Sequence, residues 1–250
     1  GRIVKNHGYN FEVNPFSRSL QSNPIPLKEM GRFRHEAVAF DLNDGYVYQT
    51  EDRDDCLFYR FIPNVKNKLN KGGQLQGLSL KNYRGPDCRN WKNDSFEVGD
   101  SHEVRWINLN DVNSPKDDLR IRGRNKGCAI FARGEGMWFS NNYVYFTCTS
   151  GGENRLGQIW RYKNTPNLSS EGKLELFFES KNKNILYRPD NITVSPQGDL
   201  IISEDGKGHD RLIGIKPNGK TYLLAENIYN KSEFAGAVFS PNGKILFVNI

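Results

Sequence analysis

No run of about 18 apolar residues occurs anywhere in this 250-residue chain, so the sequence offers no membrane-spanning helix. No segment sustains a 3.6-residue apolar period either, so helix is expected to be minor. The first residues carry no charged-then-apolar leader. GxSxG, GxxxxGK[ST] and GxGxxG are all missing, which removes the usual serine-nucleophile and nucleotide-loop readings. The four cysteines, Cys56, Cys88, Cys128 and Cys148, form no CxxC pair, so a zinc knuckle is excluded. Their spacing leaves disulfide pairing and redox compartment open, and Cys148, on a strand, reads as a small buried hydrophobe. Histidine is scarce. His35-Glu36 is followed by Ala39 where a zinc protease needs its second histidine, and His7, His102 and His209 receive no role.

A repeat fills the space these absences leave. Four segments, His35 to Phe40, Gly134 to Phe139, Asp190 to Ser195 and Phe234 to Phe239, read as short apolar strands. Turns follow each: Asn43-Asp44-Gly45, Ser140-Asn141-Asn142, Pro196-Gln197-Gly198 and Pro241-Asn242-Gly243. Such residues accept positive φ or preset a reversal, so they join antiparallel strands. Second strands come next, at Tyr46 to Thr50, Tyr143 to Thr147, Leu200 to Ser203 and Ile245 to Val248. Third strands are expected at Leu57 to Ile62, Gln158 to Tyr162 and Leu212 to Ile215, and fourth strands at Gln74 to Leu80, Leu174 to Phe178 and Thr221 to Ala225. Four short strands at a spacing of roughly 40–50 residues is the period of a propeller blade. The fold class is therefore all-β, a β-propeller.

One domain, a partial propeller over residues 1–250, is the expected organisation, with about three full blades and two partial ones. Gly8 to Val13 reads as the third strand of an incomplete blade, and the last residues read as stopping within a second strand. An internal portion of a longer polypeptide is the simplest account, so the missing leader carries no weight about export. An insertion from Lys81 to Gly127 is expected to fold as a cap or extra hairpin over one propeller face, with a strand at Trp106 to Leu109. Net charge is +6 and the pI about 9.0, with a basic cluster from Arg120 to Lys126. Spread-out charge and the cluster's place in the insertion favour a solvated loop over nucleic-acid contact.

Acidic and amide residues recur beside the inner strands: Glu36, Glu51, Asp52, Glu135, Asp190, Asn191, Glu204, Asp205 and Glu233. Singly, each is an ordinary polar turn residue; a shared register around one axis lets them converge. Hard cations take six to eight oxygens from such groups. Arg133, two residues before Glu135, adds a guanidinium suited to a phosphate. Asp41-Leu42-Asn43-Asp44-Gly45 superficially suggests a calcium loop, but its glycine is early and its twelfth residue is Asp52, so a hairpin is the better reading.

Several of these segments together carry a resemblance. Gly31-Arg32-Phe33-Arg34-His35-Glu36 with Thr50-Glu51-Asp52-Arg53, Phe131-Ala132-Arg133-Gly134-Glu135-Gly136, Arg188-Pro189-Asp190-Asn191, Ser203-Glu204-Asp205-Gly206 and Glu233-Phe234-Ala235-Gly236 resemble the PhoX-type calcium-dependent alkaline phosphatase family, in order and over nearly the whole chain. The resemblance implies a six-bladed propeller, a periplasmic or extracellular location, and hydrolysis of phosphate monoesters at a cluster of Ca2+ and Fe3+. It implies Glu36 as a ligand near the iron pair, Glu135, Asp190 and Glu204 as calcium ligands, Arg133 as the catalytic phosphate-binding residue, and Asn191 as a further substrate contact. Glu51, Asp52, Asp205 and Glu233 match motif positions and are expected to line the site. A small phosphate ester is the implied partner and a monomer the expected state. Family members also carry an upstream cysteine ligand and acidic motif, so these residues alone are expected to be inactive. A non-enzymatic ligand- or protein-binding propeller is the alternative.

Overall fold

The computed structural model describes residues 6–16, 24–92, 96–165, 168–208 and 210–250; His209 lies outside them. Blade A consists of β1 (His35–Phe40), β2 (Val47–Glu51), β3 (Tyr59–Pro63) and β4 (Gly73–Leu80). After it come β5 (Ser101–Asn108) and a short α-helix, α1 (Leu119–Asn125). Blade B is β6 (Gly134–Ser140), β7 (Tyr143–Cys148), β8 (Gln158–Thr165) and β9 (Leu168–Glu179). Blade C is β10 (Pro189–Val194), β11 (Leu200–Glu204), β12 (Arg211–Ile215) and β13 (Thr221–Glu226), and β14 (Ala235–Phe239) pairs with β15 (Leu246–Asn249). Every pairing between these strands is antiparallel, and the chain is a propeller-like all-β fold.

The insertion departs from expectation. Instead of capping a face, β5 pairs with β4 on one side and β9 on the other, fusing blades A and B into a nine-stranded sheet, β1-β2-β3-β4-β5-β9-β8-β7-β6. Free edges of both outer strands are thereby paired, which removes two sticky edges. Gly8 to Val13 also differs: it forms no strand, only an isolated bridge from Phe11 to Pro26. All four cysteines are free and buried, so no pairing among them occurs.

Alternation along the strands sends large apolar side chains between blades. Phe58 stacks on Phe146 at 4.4 Å, and Tyr48, Trp160 and Tyr162 are fully buried beside them. Between blades B and C the filling is branched and aliphatic, with Ile159, Ile192, Ile202 and Ile213. The basic cluster is largely absorbed by the fold. Arg120 reaches Asp55 and Asp117, Arg122 caps the Asn110 and Asp111 carbonyls, and Lys126 bonds the Asn108 carbonyl.

One irregularity recurs in every inner pair. Register slips between His35 and Val38, Gly134 and Met137, Pro189 and Ile192, and Ala235 and Val238. Each is a bulge at the same place, and bulges re-aim side chains. Glu36, Glu135, Asp190 and Gly236 sit in these bulges.

Candidate functional site

The bulges are braced from the neighbouring strand and the neighbouring blade. Opposite the first, Thr50 accepts the Ala37 N–H at 3.0 Å and donates to the Glu135 carbonyl of blade B at 2.6 Å. Opposite the second, Thr147 donates to the Asp190 carbonyl of blade C at 2.6 Å. Each hydroxyl ties one blade's bulge to the next, so the carboxylate-bearing residues are set by inter-blade bonds. Gly136 permits the approach: a Cβ there would lie 2.5 Å from the Asp190 carbonyl oxygen. Sequence reading missed these threonines, although a hydroxyl recurs before the end of three second strands, at Thr50, Thr147 and Ser203.

Arg133 stands at the centre. Its φ of +52° is left-handed, rare for a residue with a side chain, and its backbone is pinned by N–H donation to the Arg53 carbonyl and acceptance from Thr149. Its Nε donates to Asp52 Oδ1 at 2.8 Å and its Nη2 to Glu135 Oε1 at 2.6 Å. Around it gather Glu36, Asp190, Asp205 and Glu233. Carboxylate oxygens of Asp190, Asp205 and Glu233 lie within 4.8 Å of one another.

Such crowding shows in the acidities. Burial, then repulsion from Asp190, Asp52 and Glu36, pushes the Glu135 carboxyl up to about 9 against the pull of Arg133. Burial, then Asp190, Asp52 and Glu233, raises Glu36; burial and Asp205 raise Asp190 despite the Asn191 bond; and burial with Asp190 and Asp205 raises Glu233. Carboxylates that still repel one another beside Arg133 hold more negative charge than one guanidinium offsets, and their ligand atoms are all hard oxygens. The residues present therefore fit a hard divalent cation.

Glu36, Glu135 and Asp190 are brought together, and Asp52, Asp205 and Glu233 join them. Glu204, assigned to calcium by the resemblance, is not there. It is gripped by Arg211 through two 2.6 Å bonds and accepts the Tyr187 N–H at 2.7 Å. Glu51 is likewise turned away: it accepts the Tyr59 hydroxyl at 2.7 Å and faces Arg120 at 3.8 Å. Successive residues of an extended chain point to opposite sides, so Asp52 and Asp205 face the cluster while Glu51 and Glu204 face the blade interiors. Asn191 uses its amide within the protein, donating to Asp190 Oδ1 at 2.6 Å and accepting the Gly236 N–H at 2.7 Å. It orients Asp190 and ties blade C to β14.

Fold and site together define a propeller-like protein with an acidic, arginine-centred site at its inner strands. The chain belongs to the alkaline phosphatase PhoX family, whose description matches residues 2–250. Among solved structures it resembles Pseudomonas fluorescens PhoX in complex with vanadate, a transition state analogue, with a TM-score of 0.76 and 22% identity. That match covers 97% of this chain and 52% of the other, so the chain spans about half the length of that relative. A luciferin-regenerating enzyme (13% identity, 84% and 81% of the two chains, TM-score 0.34) and a putative 6-phosphogluconolactonase from Bacteroides uniformis (11%, 92% and 66%, 0.39) are more distant. No curated protein matches the chain.

Proposed function

We propose that these residues form the cation- and phosphate-holding part of a metal-dependent phosphomonoesterase, exported to the periplasm or beyond. Family membership supports the reaction class. The carrying observation is Arg133, held by Asp52 and Glu135 inside a group of mutually repelling carboxylates. A guanidinium has five N–H donors, and the two bonds to Asp52 and Glu135 leave others for the non-bridging oxygens of a phosphoryl group. Asp52 and Glu135 fix the plane of that fork, so little side-chain freedom is lost on binding. Glu36, Glu135, Asp190, Asp205 and Glu233 would hold the cations. Ca2+ suits this oxygen-only set directly, and Fe3+ near Glu36 belongs to the reading through the family. Bound cations would neutralise phosphoryl charge and lower the pKa of a bound water. The carboxylates also keep anions out until a cation is present, which couples substrate entry to metal loading.

Inorganic phosphate binding, followed by calorimetry with and without calcium, tests the reading on this chain. Calcium-dependent binding that is lost in Arg133→Ala, with calcium binding retained, is the expected result. Phosphate binding with no calcium-dependent component, or with one that survives Arg133→Ala, would contradict it. Turnover is proposed for the whole enzyme and is not expected of these 250 residues alone.

A further inference from the structure

Beside the acidic cluster lies a cavity of the opposite character. It has a volume of about 450 Å³ and is walled by residues 7–9, by Arg32 to His35, by Arg53, and by Pro115, Lys116 and Asp117 of the insertion. Its cationic groups are Arg32, Arg34, Arg53 and Lys116, against the single carboxylate of Asp117, which pairs with Arg53. Several donors lack acceptors. Arg53 Nε is buried with no hydrogen-bond partner, and the exposed Lys116 ammonium has none among the described residues. Arg32 donates its Nε to the His7 carbonyl at 2.9 Å and lies over the Tyr9 ring, which leaves its terminal nitrogens facing no acceptor. Arg34 has only Asp52, at 3.9 Å.

We propose that this cavity is an anion subsite, holding the second charged group of a bis-anionic phosphate ester while Arg133 takes the phosphate to be cleaved. The proposal rests on the phosphatase reading above and names its substrate class. A lining whose cationic donors outnumber its acceptors is complemented by a group that only accepts, such as a phosphate or carboxylate. A neutral alcohol portion would leave those donors unsatisfied, at a cost for each. The volume lies within the usual range of roughly 300–1,000 Å³ for small-ligand pockets, enough for a phosphorylated sugar-sized group. Continuity with the cluster is direct. Asp52 offers Oδ1 to Arg133 at 2.8 Å and Oδ2 towards Arg34 at 3.9 Å, so one carboxylate separates the two cationic heads. The insertion thereby acquires a task, since its Lys116 supplies part of the cavity wall. Unlike the acidic cluster, this cavity needs no cation to accept an anion.

The last point allows the two sites to be tested apart. With a chelator and no divalent cation, inorganic pyrophosphate should bind the wild-type chain. Binding should weaken about tenfold or more in Lys116→Glu and in Arg32→Gln, each loss being that of a charge-assisted contact. It should fall less in Arg133→Ala than in either of those variants, because Arg133 reaches the cavity only through the shared Asp52 carboxylate. Lys116 is exposed and unpaired, so its reversal tests the charge without disturbing the fold, and a melting curve checks this. With calcium present, fructose 1,6-bisphosphate should bind at least about tenfold tighter than fructose 6-phosphate, and Lys116→Glu should reduce that ratio to about one. Pyrophosphate binding that is absent, or indifferent to both substitutions, overturns the subsite. Pyrophosphate binding without any bisphosphate preference overturns the substrate assignment, leaving a site for a separate anion. Calcium-dependent inorganic phosphate binding indifferent to Arg133→Ala would instead remove the phosphatase reading and the substrate class with it.

Discussion

Glu51 and Glu135 are both buried carboxyls with raised pKa values, yet their surroundings give them different tasks. Glu51 is pushed up to about 7 by burial, with the Tyr59 bond and Arg120 pulling the other way. An acid whose folded pKa exceeds its unfolded value near 4.5 takes up a proton on folding between the two. Stability from this group is therefore full below about pH 4.5 and is lost as pH rises towards 7, by on the order of 3 kcal/mol. Glu51→Gln, which can still accept from Tyr59, should match wild type at pH 4.5 and exceed it at pH 8, as read by denaturant melts at both pH values. Equal pH dependence in the two proteins would refute the assignment. Within the cluster, Glu135→Gln should weaken calcium binding at least about tenfold, while Arg133→Ala should leave calcium affinity equal or higher and abolish the calcium-dependent phosphate binding. Calorimetry on both variants checks this, and loss of calcium in Arg133→Ala would count against it. At this scale the sequence already pointed to Glu36, Glu135, Asp190 and Arg133. Adjacent acids, Glu-Asp, close two of the second strands, and only the strand's alternation says which of the two faces the cluster, so Glu51 and Glu204 could not be told from Asp52 and Asp205.

The elements act through the inner-strand bulges and the hydroxyls opposite them. Thr147→Val removes the donor to the Asp190 carbonyl at 2.6 Å and leaves a buried acceptor unsatisfied. A cost of about 1–3 kcal/mol is expected, together with weaker calcium binding. Thr193→Val, whose buried hydroxyl has no hydrogen-bond partner, is the control and should cost less. Similar losses in both would show that the inter-blade bond does not position Asp190. Phe58→Ala should cost about 3–5 kcal/mol by opening the contact with Phe146 between blades A and B, without changing the cation site of any protein that remains folded. Strand positions were readable because turn residues and apolar alternation are local. The bulges were not, since a register slip is a relation between two strands and leaves no mark in either alone.

For the whole molecule, the blade repeat fixes the architecture and the insertion modifies it. That β5 would bridge two outer strands was hidden from the sequence: a strand's residues say that it pairs, not with which edge. Neighbouring blades thus depend on one another, and cations held between them should stabilise the ensemble. At about 100-fold excess over the dissociation constant, calcium should contribute about 2.7 kcal/mol. For a chain of this size that raises the melting temperature by roughly 5–10 °C. The rise should vanish when Asp190 and Asp205 are both replaced by asparagine; a rise preserved in that variant would place the cation elsewhere.

Anomalous diffraction from crystals soaked in terbium, a stand-in for calcium, tests the central arrangement most directly. The expected outcome is a peak within about 2.3–2.6 Å of carboxylate oxygens of Asp190, Asp205 and Glu233, with Arg133 still bonded to Asp52 and Glu135. Saturating terbium that leaves those three carboxylates bare, or binds only at the outer edges of the blades, would contradict it.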